Sequence, residues 1–145
     1  MSSDPFDLRR FVSAQQGTYT QALEEIRRGT KRSHWMWFVF PQISGLGTSA
    51  VAQRFAIRSL AEAKAYLQHP LLGQRYEESV AALQDLKDTS ADQVFGSIDA
   101  IKLRSSLTLF SGAEDRAIFQ AAIRHWFGSP DGRTIEILRQ IAPST

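Results

Sequence analysis

Cysteine is absent from this chain of 145 residues. That excludes disulfides, thiolate metal sites and thiol nucleophiles, and it fits a reducing compartment. No apolar run reaches the length of a membrane span, and the N-terminal MSSDPFDLRR carries charge where a signal peptide would need uninterrupted apolar residues. A cytoplasmic protein is the resulting expectation. An excess of either charge is lacking too: 17 Lys and Arg stand against 15 Asp and Glu, so even a pI of about 9.2 makes a poor case for a dedicated nucleic-acid binder. P-loop, GxGxxG, GxSxG and HExxH motifs are missing, which removes the common nucleotide-binding and hydrolase signatures. The 3 histidines lie far apart with no HxxxH pair, so no metal site and no cofactor is expected.

What is present describes a globular protein. Apolar residues make up 43% and charged residues 22%, and a chain of this length buries roughly two-thirds of its unfolded surface without disulfides or metal. No repeat, low-complexity tract or linker divides residues 1–145, so one helical domain is expected.

Helical periodicity runs through most of the chain. Phe6, Leu8, Phe11 and Val12 mark a helix over 6–16, which Gly17 stops. Thr18 is placed to cap a second helix with Tyr19, Ala22, Leu23 and Ile26 on one face, and Arg27 and Arg28 suit its C-terminal dipole before Gly29. A helix is predicted over 49–57. Another begins at Ser59, with Glu62 at capping-box spacing, and a third begins with Pro70 in its first turn and runs to about Asp88. Thr89 to Phe95 reads as a short helix ended by Gly96. Ser97 is then expected to cap a helix over 98–110, apolar on several sides and so central, which Gly112 closes. Glu114 to Phe127 forms a further amphipathic helix, and Thr134 caps a last one ending near Ile141. The fold class is therefore all-α, a compact bundle of about eight or nine short helices around the helix near 98–110.

The stretch KRSHWMWFVFPQISGLGTS, residues 31–49, departs furthest from ordinary composition. Trp35, Trp37, Phe38 and Phe40 crowd together beside His34, after a basic cluster and before a Gly-Leu-Gly turn. Ser33 offers an N-cap for a short helix, and Pro41 forces Phe40 out of helical geometry. If buried between tryptophans, His34 would be a neutral base or donor near physiological pH. Trp35 and Trp37 point to different sides of any regular element, so one is expected in the core and one near a pocket, where it could stack on a heterocycle.

Asp99, Lys102 and Ser106 share one face of the central helix, with Ser105 beside them. Polar groups on a central helix must pair or line a wet cavity, because a buried unpaired charge is too costly. The alternative to a pocket is an internal ion pair between Asp99 and Lys102, with serines permitting close helix packing. A lysine and hydroxyls beside a histidine-aromatic segment would make an anion site.

The runs LRRFVSAQ, RRGTKRSHWMWFVFPQISGLGTS, EAKAYLQHPLLGQR and FGSIDAIKLRSSLTLF, with the PDGRT turn, resemble a bacterial domain-of-unknown-function family (domain of unknown function 1810) often labelled calpastatin. The resemblance runs almost end to end, and its signature motifs cover His34, Trp35, Trp37, Gln42, Gly45, Gly47, His69, Pro70, Gly73, Lys102, Ser105 and Phe110. It implies no activity, and the apolar content and helix caps do not suit a disordered protease inhibitor. The order of features is also similar to that of the NADAR-type superfamily, helical proteins acting on ADP-ribose N-glycosidic bonds, through Glu62-Ala63-Lys64, Lys102 and Phe110. That superfamily's aromatic-Asn-Phe motif and Glu-His segment have no counterpart here, so none of its catalytic residues is carried over.

The functional expectation is a pocket between residues 33–47 and the 98–110 helix that binds, and in an enzyme version hydrolyses, a small anionic nucleotide or ADP-ribose-like ligand. His34 or Asp99 would act as acid or base. Lys31, Trp35, Trp37, Gln42, Lys102, Ser105 and Ser106 would hold the ligand. The other reading is a non-catalytic module that contacts protein or nucleic acid through exposed tryptophans and the basic cluster over 27–32.

Overall fold

Tyr76, Tyr66 and Phe110 meet at the middle of the molecule, and the helices are arranged to enclose them. In the computed structural model, which describes residues 3–141, ten helices run in chain order. They are α1 (Arg9–Gln15), α2 (Tyr19–Arg28), α3 (Met36–Val39), α4 (Ala50–Arg54), α5 (Leu60–Gln68), α6 (Leu72–Gln84), α7 (Ala91–Phe95), α8 (Ser97–Ala113), α9 (Ala117–Phe127) and α10 (Gly132–Ile141). The single domain is all-α. Among the described residues no strand forms, and one isolated parallel bridge joins Ile43 to Ile57. The count slightly exceeds the eight or nine expected, and α3, α4 and α7 are short elements of only four or five residues.

α8 is central, as its apolar residues on several sides predict, and packs against α3, α5, α7, α9 and α10. From Ser105 to Phe110 every residue is buried. Phe110 lies 4.4 Å from the Tyr76 ring and 5.2 Å from Tyr66, and Phe119 and Phe40 meet Tyr76 edge-on. Such tilted and edge contacts are worth about 0.5–1.5 kcal/mol per pair beyond area burial. The hydroxyls inside this cluster are paired: Tyr76 with Ser106 at 2.9 Å, and Tyr66 donating to the Phe38 carbonyl at 3.3 Å. Desolvation holds both phenols well above their ordinary range, so both stay neutral.

Several helix starts use a different cap from the one expected. Ser33 does not cap α3, which begins after Trp35; its backbone N–H and its hydroxyl donate to Glu25. Thr134 is buried inside α10, and the Asp131 carboxylate receives both its N–H and its hydroxyl. Ser97 is already helical, with Gly96 in the N-cap position at φ +81, a conformation that favours glycine. Gly112 does not end α8, which continues to Ala113. At α5 the Ser59 hydroxyl accepts from the Glu62 N–H as expected. The capping box stays open, however, because the Glu62 carboxylate turns to the Arg58 N–H and to Arg10. At α6 it is His69 Nδ1 that accepts the Leu71 and Leu72 N–H groups, at 3.1 and 3.2 Å. This assigns His69 to helix capping.

Candidate functional site

Residues 31–37 must leave α2 and enter α3 without regular hydrogen bonding, and one buried carboxylate makes that possible. Glu25 is 5% exposed. Its Oε1 receives the N–H groups of Arg32 and Ser33 and the Trp35 indole N–H at 2.8–3.0 Å, and its other oxygen receives the Ser33 hydroxyl. Burial alone would raise the carboxyl's pKa; the four donors outweigh it and bring the group down to about 2. Sequence reasoning did not single out Glu25. Its signal was its position on the buried face of α2, three residues after Ala22, where a charge needs partners.

With this segment fixed, Lys31 reaches inward. Its backbone N–H donates to the Val94 carbonyl at 2.7 Å, and its ammonium donates to the Ser33 carbonyl at 2.6 Å and pairs with Asp99 of α8 at 2.8 Å. Lys102, one turn along α8, lies 3.5 Å from the other Asp99 oxygen and 4.9 Å above the Trp37 ring. Asp99 therefore sits between two lysines, and the ion pair with Lys102 expected at three-residue spacing is present alongside a longer-range one.

These side chains line an open cleft of about 410 Å³, with His34 on its rim and the first turn of α8 at its base. No side chain caps that turn, so its free N–H groups add to the positive character of the cleft. A second cleft of about 230 Å³ adjoins the first through Ile98 and Lys102, and Gln42, Leu46, Ile101 and Arg133 complete most of its wall.

The expected site residues divide between these clefts and the core. Lys31, His34, Trp37, Asp99 and Lys102 come together in the first cleft. Gln42, Lys102 and Ser105 line the second, although the Ser105 hydroxyl is buried and bonded to Thr134. Two residues fall outside both. Trp35 has no exposed surface, is packed against Phe40 and Phe95, and has its N–H on Glu25, so no ligand can stack on it. Ser106 is equally enclosed, with its hydroxyl on Tyr76. His34 is exposed and not buried between the tryptophans. Gly47 is explained by packing, since a Cβ there would lie 2.5 Å from the Ala52 Cβ. The basic cluster also splits: Arg27, Arg28 and Arg32 are exposed, whereas Lys31 is drawn into the structure.

Among the described residues no three His, Asp or Glu side chains gather to hold a metal ion. None of the described helices is long and apolar enough to cross a membrane.

An all-α domain with a cationic cleft against its central helix is the class that the fold and site define. The pattern of a family described as protein of unknown function (DUF1810) matches residues 5–138, and the chain belongs to that family. It is similar to a crystal structure of the conserved hypothetical protein Rv1873 from Mycobacterium tuberculosis. The two share 48% sequence identity over 94% of this chain and 99% of that one, with a TM-score of 0.92. No curated protein matches the chain.

Proposed function

We propose that this protein binds a small anionic, nucleotide-like ligand in the cleft between residues 31–37 and the start of α8. The observation that carries the reading is the convergence of Lys31, His34, Trp37 and Lys102 on one open cleft of about 410 Å³. Two of these groups, His34 and Lys102, serve no need of the core. Lys102 is 24% exposed at its side chain, held by Asp99 at the long end of ion-pair distance and resting over the Trp37 ring; His34 is exposed. An anion entering the cleft meets Lys102, the imidazole and the first-turn N–H groups of α8, a combination suited to phosphate or carboxylate.

Lys31 has a different part. Its ammonium is already held by Ser33 and Asp99, so it positions Asp99 and adds field more than contact. In a catalytic version, His34 would exchange protons with the ligand, because it is the cleft group whose ordinary pKa lies nearest neutrality. An ADP-ribose-like ligand, as the likeness to the NADAR-type superfamily suggests, falls within this class. The interaction-module reading has less support. Trp35 is enclosed and Trp37 is partly covered by Lys102, which leaves no flat aromatic patch.

A thermal-shift screen of ADP, NAD, ADP-ribose and sugar phosphates tests this. A ligand at a hundred times its dissociation constant should add about 2.7 kcal/mol of stability. That gain should vanish in His34→Ala and Lys102→Ala variants whose unliganded melting is unchanged. A panel without hits, or a hit indifferent to both substitutions, refutes the reading.

A further inference from the structure

We infer that the ligand is bipartite, with its anionic group in the cleft over Lys102 and His34 and a flat, mostly apolar body in the adjoining cleft beside Gln42, Leu46, Ile98 and Ile101. This rests on the anion reading above and gives it an orientation. The heterocycle lies against aliphatic side chains of α8, not on a tryptophan.

Three observations lead there. First, the two clefts are neighbours, since Ile98 and Lys102 belong to the walls of both. The second alone, at about 230 Å³, is smaller than the roughly 300–1,000 Å³ of ordinary small-molecule sites. Joined to the first it falls well inside that range, so one ligand spanning both is the better fit. Second, Ile98 is 71% exposed and Ile101 64%, the two most exposed large apolar side chains among the described residues. They stand one turn apart on α8, the helix whose other sides are most deeply buried. Apolar surface of this size gains free energy when covered, at about 25 cal/mol per Å².

Third, the second cleft holds polar groups that lack partners. Gln42 uses its backbone carbonyl to accept the Ile57 N–H at 2.8 Å, while its carboxamide bonds to nothing among the described residues. A carboxamide offers a donor and an acceptor side by side, which matches the edge of a base or of an amide-bearing ring. Arg133 is exposed at the same cleft and offers further donors. Asp131 is already committed to Thr134.

The Trp37 face toward the first cleft carries the Lys102 ammonium. A base stacked there would have to displace the cation that the anionic group needs. Placing the ring against Ile98 and Ile101 leaves that contact in place.

The test measures calorimetric binding of ADP and of inorganic pyrophosphate to wild type, Ile101→Asp, Gln42→Ala and Lys102→Ala. Ile101 is exposed enough for its replacement to leave the fold intact, which unchanged melting would confirm. ADP should weaken about tenfold or more in Ile101→Asp and several-fold in Gln42→Ala. Pyrophosphate should change less than about twofold in both, and Lys102→Ala should lose both probes. Unchanged ADP binding in Ile101→Asp and Gln42→Ala overturns the bipartite placement, while the Lys102 result still decides the anion reading. Equal losses for ADP and pyrophosphate in Ile101→Asp also overturn it, because the second cleft would then act only through the first. Failure of both probes to bind wild type removes the two readings together.

Discussion

Glu25→Gln should remove stability in a way that depends on pH, and the size follows from the carboxylate's surroundings. In the folded chain the group titrates near 2, against 4.5 for the free side chain, because four donors favour its charged form more than burial opposes it. At about 1.36 kcal/mol per tenfold change in proton affinity, that difference contributes about 3 kcal/mol at neutral pH. The sign follows from proton uptake. Between pH 4.5 and 2 the unfolded chain holds more protons at this position than the folded one, so stability falls as pH falls through that window. Above it the contribution is complete. Glutamine keeps one acceptor but presents an amide N–H₂ where the Arg32, Ser33 or Trp35 donors need oxygen, and each mismatch leaves a buried donor unpaired at about 1–3 kcal/mol. Urea unfolding of wild type and variant, repeated from pH 7 down to about 2.5, checks this. The variant should be about 3 kcal/mol less stable at pH 7, and the gap should narrow to about 1 kcal/mol at the acid end. A gap that is constant with pH would refute the claim that Glu25 is held as a charged acceptor. A gap below about 0.5 kcal/mol at pH 7 would refute the claim that it pins residues 32–35.

Two further predictions concern the frame behind the clefts. Gly73→Ala places a Cβ 1.9 Å from the Leu67 carbonyl oxygen, a backbone atom that cannot swing aside. It should cost about 3 kcal/mol or more and lower the melting temperature by about 6–12 °C on a circular dichroism melt, where a change under about 2 °C would show that α5 and α6 can separate freely. Arg10→Ala strips the only basic side-chain partner of Glu62 among the described residues, Glu62 being 3% exposed, and the donor shared by the Phe6, Asp7, Arg54 and Ala56 carbonyls. A loss of about 3–5 kcal/mol is expected on urea unfolding. Adding Glu62→Gln should recover part of it, and strict additivity of the two substitutions would show that the pair does not interact.

The helical plan was legible because its punctuation is chemical and local. Ser49, Ser59 and Ser90 cap the helices that follow them through their own hydroxyls, and Gly29 and Gly96 sit at helix ends with positive φ. Two of the errors share one cause. Ser33 and Thr134 have the right side chains for caps, but a nearby carboxylate, Glu25 or Asp131, is a stronger acceptor and takes their hydroxyls as donors. Glu25 stands eight residues before Ser33 on another helix, beyond the reach of a local cap pattern, whereas Asp131 directly precedes α10 and lay within one. The site was legible to the same extent. The Asp99–Lys102 pair follows from helical spacing, and the separation of Trp35 from Trp37 follows from their positions. That Lys31 completes the pair with Asp99, and that Trp35 is the enclosed tryptophan, depends on how Glu25 directs the 31–37 segment.

That dependence explains why so polar a segment tolerates so many aromatics. One side of residues 31–40 is bound to α2 by a carboxylate and to α7 by the Lys31–Val94 backbone contact, and its Trp35 and Phe40 rings pack into the core. The other side carries His34, Trp37 and the Lys31 ammonium toward α8. The Glu25 and Val94 tethers lie behind the segment, so filling the cleft leaves them in place, while the Lys31–Asp99 pair crosses to α8. The ordering entropy of the segment's backbone and of the Lys31 side chain is met on folding, which favours tighter binding of a ligand that fits. Lys102 is the exception, held weakly by Asp99 and resting on Trp37. It is therefore the cleft cation with the most freedom to turn toward an incoming anion, and its place on the wall between the two clefts lets it serve a ligand that occupies both.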